Sequence, residues 1–342
     1  MSLPRVSRTL PPHLDPTKSE LAFEERMFPK LNAEIQFDRD QETRERALKS
    51  LCDLSHNQVK AYQICSLGLM DSIGKILDDP NDLCRELATE IFAVMCTHNI
   101  GRDAALKFIP KLSELFSEKN ENTRKNVHKA LYYSSELIRG VTQMIEKKLI
   151  PVFINLLKTE IDDVRCWIIQ TFHNCLRFAS DEALQNQGFE TLKELLEVDN
   201  EIIVEYTLRS LAEITFNSAG KARANSDEKL ADFLITIIKN KKRGVEVRSA
   251  ACAALGSVSI TSHGKIKSVD CKALPPLCDL LQEDNSEAKL MSLTCISILS
   301  EVPDGRAYML ERADLIRPYI MSKDDLVATA AKECMRVIQW KP

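Results

Sequence analysis

Glycine is scarce in this chain, at ten residues of 342, and no G-x-x-x-x-G-K-[ST] or G-x-G-x-x-G loop is formed from those few, so no phosphate cradle is indicated. Aromatic residues are only 6% of the total and tryptophan occurs twice. No stretch approaches the roughly eighteen apolar residues that a membrane span requires. The eleven cysteines are odd in number and contain no C-x-x-C pair. They read as reduced thiols of a cytosolic-type compartment rather than a disulfide or zinc framework. The six histidines (His13, His56, His98, His128, His173 and His263) include no two spaced three to five apart, so no metal site is expected. Charge is nearly balanced, with a formal net of −4, which gives no reason to expect nucleic acid or anionic membrane as a partner. Met1 to Pro12 lacks the apolar core of a secretory signal. No cofactor or small-molecule substrate is indicated.

What is present is a helix-rich composition, 44% apolar and 28% charged, and a repeat. Five of the ten glycines (Gly101, Gly140, Gly220, Gly264 and Gly305) stand sixteen residues after Arg85, Arg124, Val204, Arg248 and Lys289. With Arg44, Arg165 and Ala328 these anchors are spaced 41, 39, 41, 39, 44, 41 and 39 residues apart. A period of about forty residues marks a stack of helical units. Offsets of three, seven and ten from each anchor are apolar or small, as in Ala88, Phe92 and Met95, or Ala251, Leu255 and Val258. Those offsets lie on one face of an α-helix. An apolar pair eight and nine residues before the anchor, such as Leu156-Leu157 or Tyr319-Ile320, belongs to a preceding helix. That helix opens with Pro110, Pro151 or Pro275, or with an acid such as Asp71, Glu190 or Asp314. Glu42, Asp82, Asn122, Asp163, Glu246, Glu287 and Asp325 are expected to cap the long helix. The recurrent glycine is expected to supply a left-handed turn past its end, and Gly68 and Gly188 the next turn. The recurrent arginine opposes the helix dipole, and either bridges to an acid or carbonyl of the neighbouring unit or is simply solvated.

This unit of short helix, helix and long helix resembles the armadillo repeat, most clearly at Leu149-Ile150-Pro151…Leu156-Leu157…Val164-Arg165 and Leu274-Pro275…Leu280-Leu281. The fold expected is all-α, an armadillo-type right-handed superhelical solenoid of about eight three-helix repeats over residues 27–342, after an extended arm at 1–26. A narrower resemblance lies in Pro11-Pro12-His13-Leu14-Asp15-Pro16-Thr17-Lys18, Lys30-Leu31-Asn32, Leu51-Cys52-Asp53-Leu54 and the closing Lys341-Pro342. These are similar to the armadillo-repeat subunit of axonemal radial spokes, the radial spoke head protein fourteen homologue family. That resemblance implies a structural part of the cytoskeleton of motile cilia and flagella, held by other radial spoke subunits, and it favours the arm as a strap on a partner over the arm as a disordered tail.

In armadillo arrays the long helices line a groove, reached at offsets of one, five, eight and twelve from the anchor. The candidate partner-binding residues so placed are Lys49, Lys129, Tyr132, Gln170, His173, Arg209, Phe216, Ala253 and Ile260. Lys129→Glu and Arg209→Glu are expected to weaken partner binding with helicity intact. Trp167 is followed four residues later by Thr171 rather than asparagine, which counts against the importin-like grip on basic peptides. Cys175 beside His173 is a poor thiol nucleophile, because the two point in different directions and Cys175 lies in the core stripe. No enzyme activity is expected. The run Lys239-Asn240-Lys241-Lys242-Arg243 is a solvated loop, a nuclear address or a docking site for an acidic partner, and as an address it suits a soluble adaptor in signalling or transport.

Overall fold

The computed structural model describes residues 26–37 and 39–341, and all regular structure among them is helical. The arm expected at 1–26 lies almost wholly outside the described residues. The chain divides into two compact units, Met1–Lys147 and Lys148–Pro342.

In the first unit the helices are α1 (Met27–Glu34), α2 (Gln41–Ser55), α3 (Gln58–Ser66), α4 (Leu69–Ile76), α5 (Asp82–Met95), α6 (Asn99–Ala105), α7 (Ile109–Ser113), α8 (Glu121–Ser135) and α9 (Ile138–Glu146). The long helices α2, α5 and α8 pack in series. In the second unit they are α10 (Leu149–Thr159), α11 (Asp162–Gln185), α12 (Gly188–Leu195), α13 (Glu201–Ile214), α14 (Ser218–Ser226), α15 (Leu230–Lys239), α16 (Val245–Val258), α17 (Ser262–Asp270), α18 (Leu274–Leu281), α19 (Ser286–Leu299), α20 (Pro303–Leu310) and α21 (Asp325–Ile338). Here α11, α13, α16, α19 and α21 pack in series.

The expected core stripe is the spine of both units. Every residue seven after an anchor is buried, from Leu51 and Phe92 to Ile296 and Met335. Every residue three after an anchor is buried too, and most are small, which lets successive long helices approach closely. Each large apolar side chain so buried contributes about 1.5–3 kcal/mol.

The caps differ from the expectation. Asp82, Glu246, Glu287 and their counterparts lie within the first helical turn, where they suit the dipole. The caps stand four residues before the anchors. Asp40, Asn81, Asn120, Asn200, Asn285 and Asp324 each accept a hydrogen bond from a backbone N–H of the first turn. Ile161 and Gly244 take this place without a side-chain bond.

The recurrent glycines also have a different reason. None has a left-handed backbone, and each lies buried inside a short helix. A Cβ there would strike the carbonyl oxygen ten residues after the preceding anchor: Met95, Ser134, Ile214, Val258 and Leu299 respectively. At these five positions glycine lets the short helix lie directly on the end of the long one, whereas in the first repeat Lys60 takes the register and α2 and α3 still separate. Where Asp181 takes this register, α11 consists of two helical runs joined across a kink at Ala179 (φ −131°, ψ 25°). Of the turns into the second helix, Gly68 is left-handed as expected, at φ 74°. Elsewhere Lys148, Gln187 and Lys272 hold that conformation, and Gly188 does not. In the last repeat the segment holding Tyr319-Ile320 is a 3-10 helix, Arg317–Met321, rather than an α-helix.

Arg44, Arg85 and Arg248 form the expected bridge. Arg44 and Asp79 make a bidentate pair (Nε–Oδ2 2.9 Å, Nη2–Oδ1 3.1 Å), both buried. Arg85 grips Glu118 in the same way at 2.9 and 3.1 Å, and Arg248 binds Glu283 at 2.7 Å. In each case the acid lies in the loop that leads to the next long helix. Arg165 instead turns back to Asp162 (2.9 Å) and the Glu160 carbonyl (2.6 Å).

Candidate protein-binding groove

Of the predicted site residues, Lys49, Lys129 and Tyr132 belong to the first unit. Lys49 is exposed on α2, whereas Lys129 and Tyr132 are half-buried on α8. The Tyr132 ring lies 5.1 Å from that of Tyr133.

The remaining six lie in the second unit, and three of them meet. Phe216, Ala253 and Ile260 line one pocket of about 260 Å³ with Ala212, Glu213, Cys252, Gly256, Ser257, Met291, Thr294, Cys295 and Ile298. It is built by α13, α16 and α19, and the small residues of α16 form its floor. Phe216, just beyond the end of α13, is 75% exposed, and Ile260 is 42% exposed. Both follow helix ends, so neither has a next helical turn to cover it.

Arg209 lies along the same face but is engaged within the molecule. Its Nε binds Glu205 at 2.9 Å, and its terminal nitrogens bind Glu287 at 2.8 and 3.1 Å. Gln170 is buried and donates to the Cys166 carbonyl at 2.7 Å. His173 packs edge-on to Tyr206 at 5.8 Å. Burial, with Arg209 nearby, holds its imidazole down to about 4, so it is neutral at physiological pH.

No family model matches the chain. Solved structures do. An engineered protein superposes with a TM-score of 0.80 at 15% identity, covering 93% of this chain and 82% of its own. A second engineered protein gives 0.61 at 18% identity, covering 68% and 98%. A designed armadillo repeat protein gives 0.58 at 15% identity, covering 67% of this chain and 99% of its own. The fold is armadillo-type. At these identities the likeness speaks for the backbone alone, and the chemistry of this armadillo array must come from its own residues.

Cys175 is fully buried, and burial pushes its thiol up to about 12, far from the thiolate a nucleophile needs. Among the described residues no His, Cys, Asp and Glu cluster is placed to hold a metal ion. No described helix is long and apolar enough to cross a membrane. His98 lies 3.0 Å through Nε2 from the Ser55 carbonyl at the end of α2.

Sequence reasoning placed Phe216, Ala253 and Ile260 on the groove but missed Met291 and Ile298. Their apolar character is plain in the sequence, but no offset rule brings two neighbouring long helices into one pocket. Glu213 was missed because it lies one residue outside the assumed groove register.

Proposed function

We propose that the chain is a non-enzymatic scaffold that binds other proteins along its long-helix face. The observation that carries this reading is the open apolar pocket formed by Phe216, Ala253, Ile260 and their neighbours on α13, α16 and α19. Exposed apolar surface of this kind, bordered by charged side chains, is what protein docking sites offer. The likeness of Pro11–Lys18, Lys30–Asn32 and Leu51–Leu54 to the radial spoke subunit narrows the proposal to a structural component of radial spokes in the axoneme of motile cilia and flagella. Detergent-extracted axonemes should then retain the protein with the other spoke subunits. Recovery of the whole pool in the detergent-soluble fraction would remove the axonemal assignment.

The competing adaptor reading needs the Lys239–Arg243 loop to be free for recognition. Arg243 is instead tied to the Glu201 carboxylate at 2.7 Å, and the Gly244 N–H donates to the same group at 2.9 Å. Lys241 and Lys242 remain exposed. Replacing both with alanine is expected to leave cellular location unchanged, and a change would favour the adaptor.

A further inference from the structure

Resting on the protein-binding reading, we propose that the pocket between α13, α16 and α19 receives one large apolar side chain from a partner protein segment. Glu213 selects segments in which that side chain is flanked by lysine or arginine.

Size comes first. At about 260 Å³ the pocket is smaller than the roughly 300–1,000 Å³ typical of small-molecule and cofactor sites, and it suits a single inserted side chain. Its hydroxyl groups are already satisfied from within. The Ser257 hydroxyl donates to the Ala212 carbonyl at 3.1 Å and lies 2.9 Å from the Thr215 hydroxyl. The Thr294 hydroxyl donates to the Leu290 carbonyl at 2.8 Å. A polar occupant would lose its own water without finding partners there, whereas an apolar one meets Phe216, Ile260, Met291 and Ile298.

Charge comes second. Glu213 is the only charged residue in the lining, and its carboxylate has no ion-pair partner among the described residues. The neighbouring Arg209 is neutralised by Glu205 and Glu287. Lys221 faces the Phe216 ring, 5.7 Å from its centre. Of these charges only the Glu213 carboxylate lines the opening itself, and its complement is a cation beside the inserted side chain.

The third observation is Gly256. It lies inside α16, where glycine weakens a helix relative to alanine. Unlike the five register glycines, nothing in the fold requires it. A Cβ there would meet only ordinary contacts, the nearest being Ile298 Cδ1 at 3.7 Å. Its missing side chain leaves the pocket open.

The test is to pan a random phage-displayed peptide library against the full chain, then measure the enriched peptides by fluorescence anisotropy. Leu, Ile, Phe or Met next to Lys or Arg should dominate. Gly256→Leu should lower their affinity about tenfold or more. Should that variant fail to fold, Gly256→Ala serves, with a smaller loss of affinity and a raised Tm. Panning against Glu213→Lys should shift the preference to apolar residues next to Asp or Glu.

Peptides that bind wild type and both Gly256 variants equally would dock elsewhere on the surface, which overturns this pocket and leaves the scaffold reading standing. An unchanged flanking preference in Glu213→Lys would overturn the role of Glu213. Absence of any enriched peptide would overturn the pocket, with axoneme retention judging the broader reading separately. Self-association of the wild type that Gly256→Leu abolishes would make the occupant a second copy, and would overturn the proposal as well.

Discussion

Arg209 on α13 and Glu287 on α19 are 78 residues apart and form a two-pronged ion pair past the intervening helix α16. This contact changes what a mutation at Arg209 reports. Arg209→Glu, expected from sequence to weaken partner binding with helicity intact, would gather three carboxylates with Glu205 and Glu287. It should lower the urea midpoint, and Glu287→Arg in the same chain should restore it. The pair is partly exposed, so a double-mutant cycle of Arg209→Met and Glu287→Gln should give a coupling of about 1 kcal/mol or less.

Two glycines in this unit should respond with opposite signs. Gly220→Ala places a methyl against the Ile214 carbonyl and should cost at least about 2 kcal/mol through forced separation of α13 and α14. Gly256→Ala meets no such obstacle and should stabilise by about 0.5–1 kcal/mol. Denaturant titration of the two variants side by side checks the contrast.

In the first unit the Arg44–Asp79 pair is nearly sealed from water, with residue exposures of 7% and 1%. Asp79→Ala strands the guanidinium and should cost about 3–5 kcal/mol. Replacing both partners, as Arg44→Met with Asp79→Ala, should recover much of that loss. If the single and double variants are equally unstable, loss of packing rather than the stranded charge is responsible.

Acid sensitivity should come partly from histidine. His128 is fully buried, its ring stacked on Phe116 at 4.5 Å between centroids. Burial, assisted by Arg124, holds it down to about 3 from the usual 6.5. The unfolded chain therefore takes up a proton below about 6.5 that the folded chain refuses, and stability falls as pH drops from 6.5 toward 3. The slope reaches about 1.4 kcal/mol per pH unit for one such group. Urea titrations at several pH values in this window should show a shallower slope for His128→Phe than for wild type.

The repeat, the long helices and their buried stripe were all legible, because a period of about forty residues and the 3.6-residue helical turn both leave marks along the chain. The caps were misplaced in the sequence reading, which chose the acids two or three residues before the anchors, although the position four before carries asparagine or aspartate in six of eight cases. The glycines were visible, but their purpose was not. A left-handed turn and a close helix approach both select glycine, and only coordinates reveal the Ile214 or Leu299 carbonyl waiting above the missing Cβ.

Local order in this protein is thus written in sequence, since capping, helical periodicity and burial of a stripe act between residues a few positions apart. Tertiary structure alone decided that Arg209 is spent on Glu287, that Gln170 is buried, and that Phe216, Gly256 and Met291 surround one opening. Those relationships join side chains about forty or eighty residues apart on neighbouring helices. They depend on how far each helix is rotated about its axis when it packs, and no linear spacing records that angle.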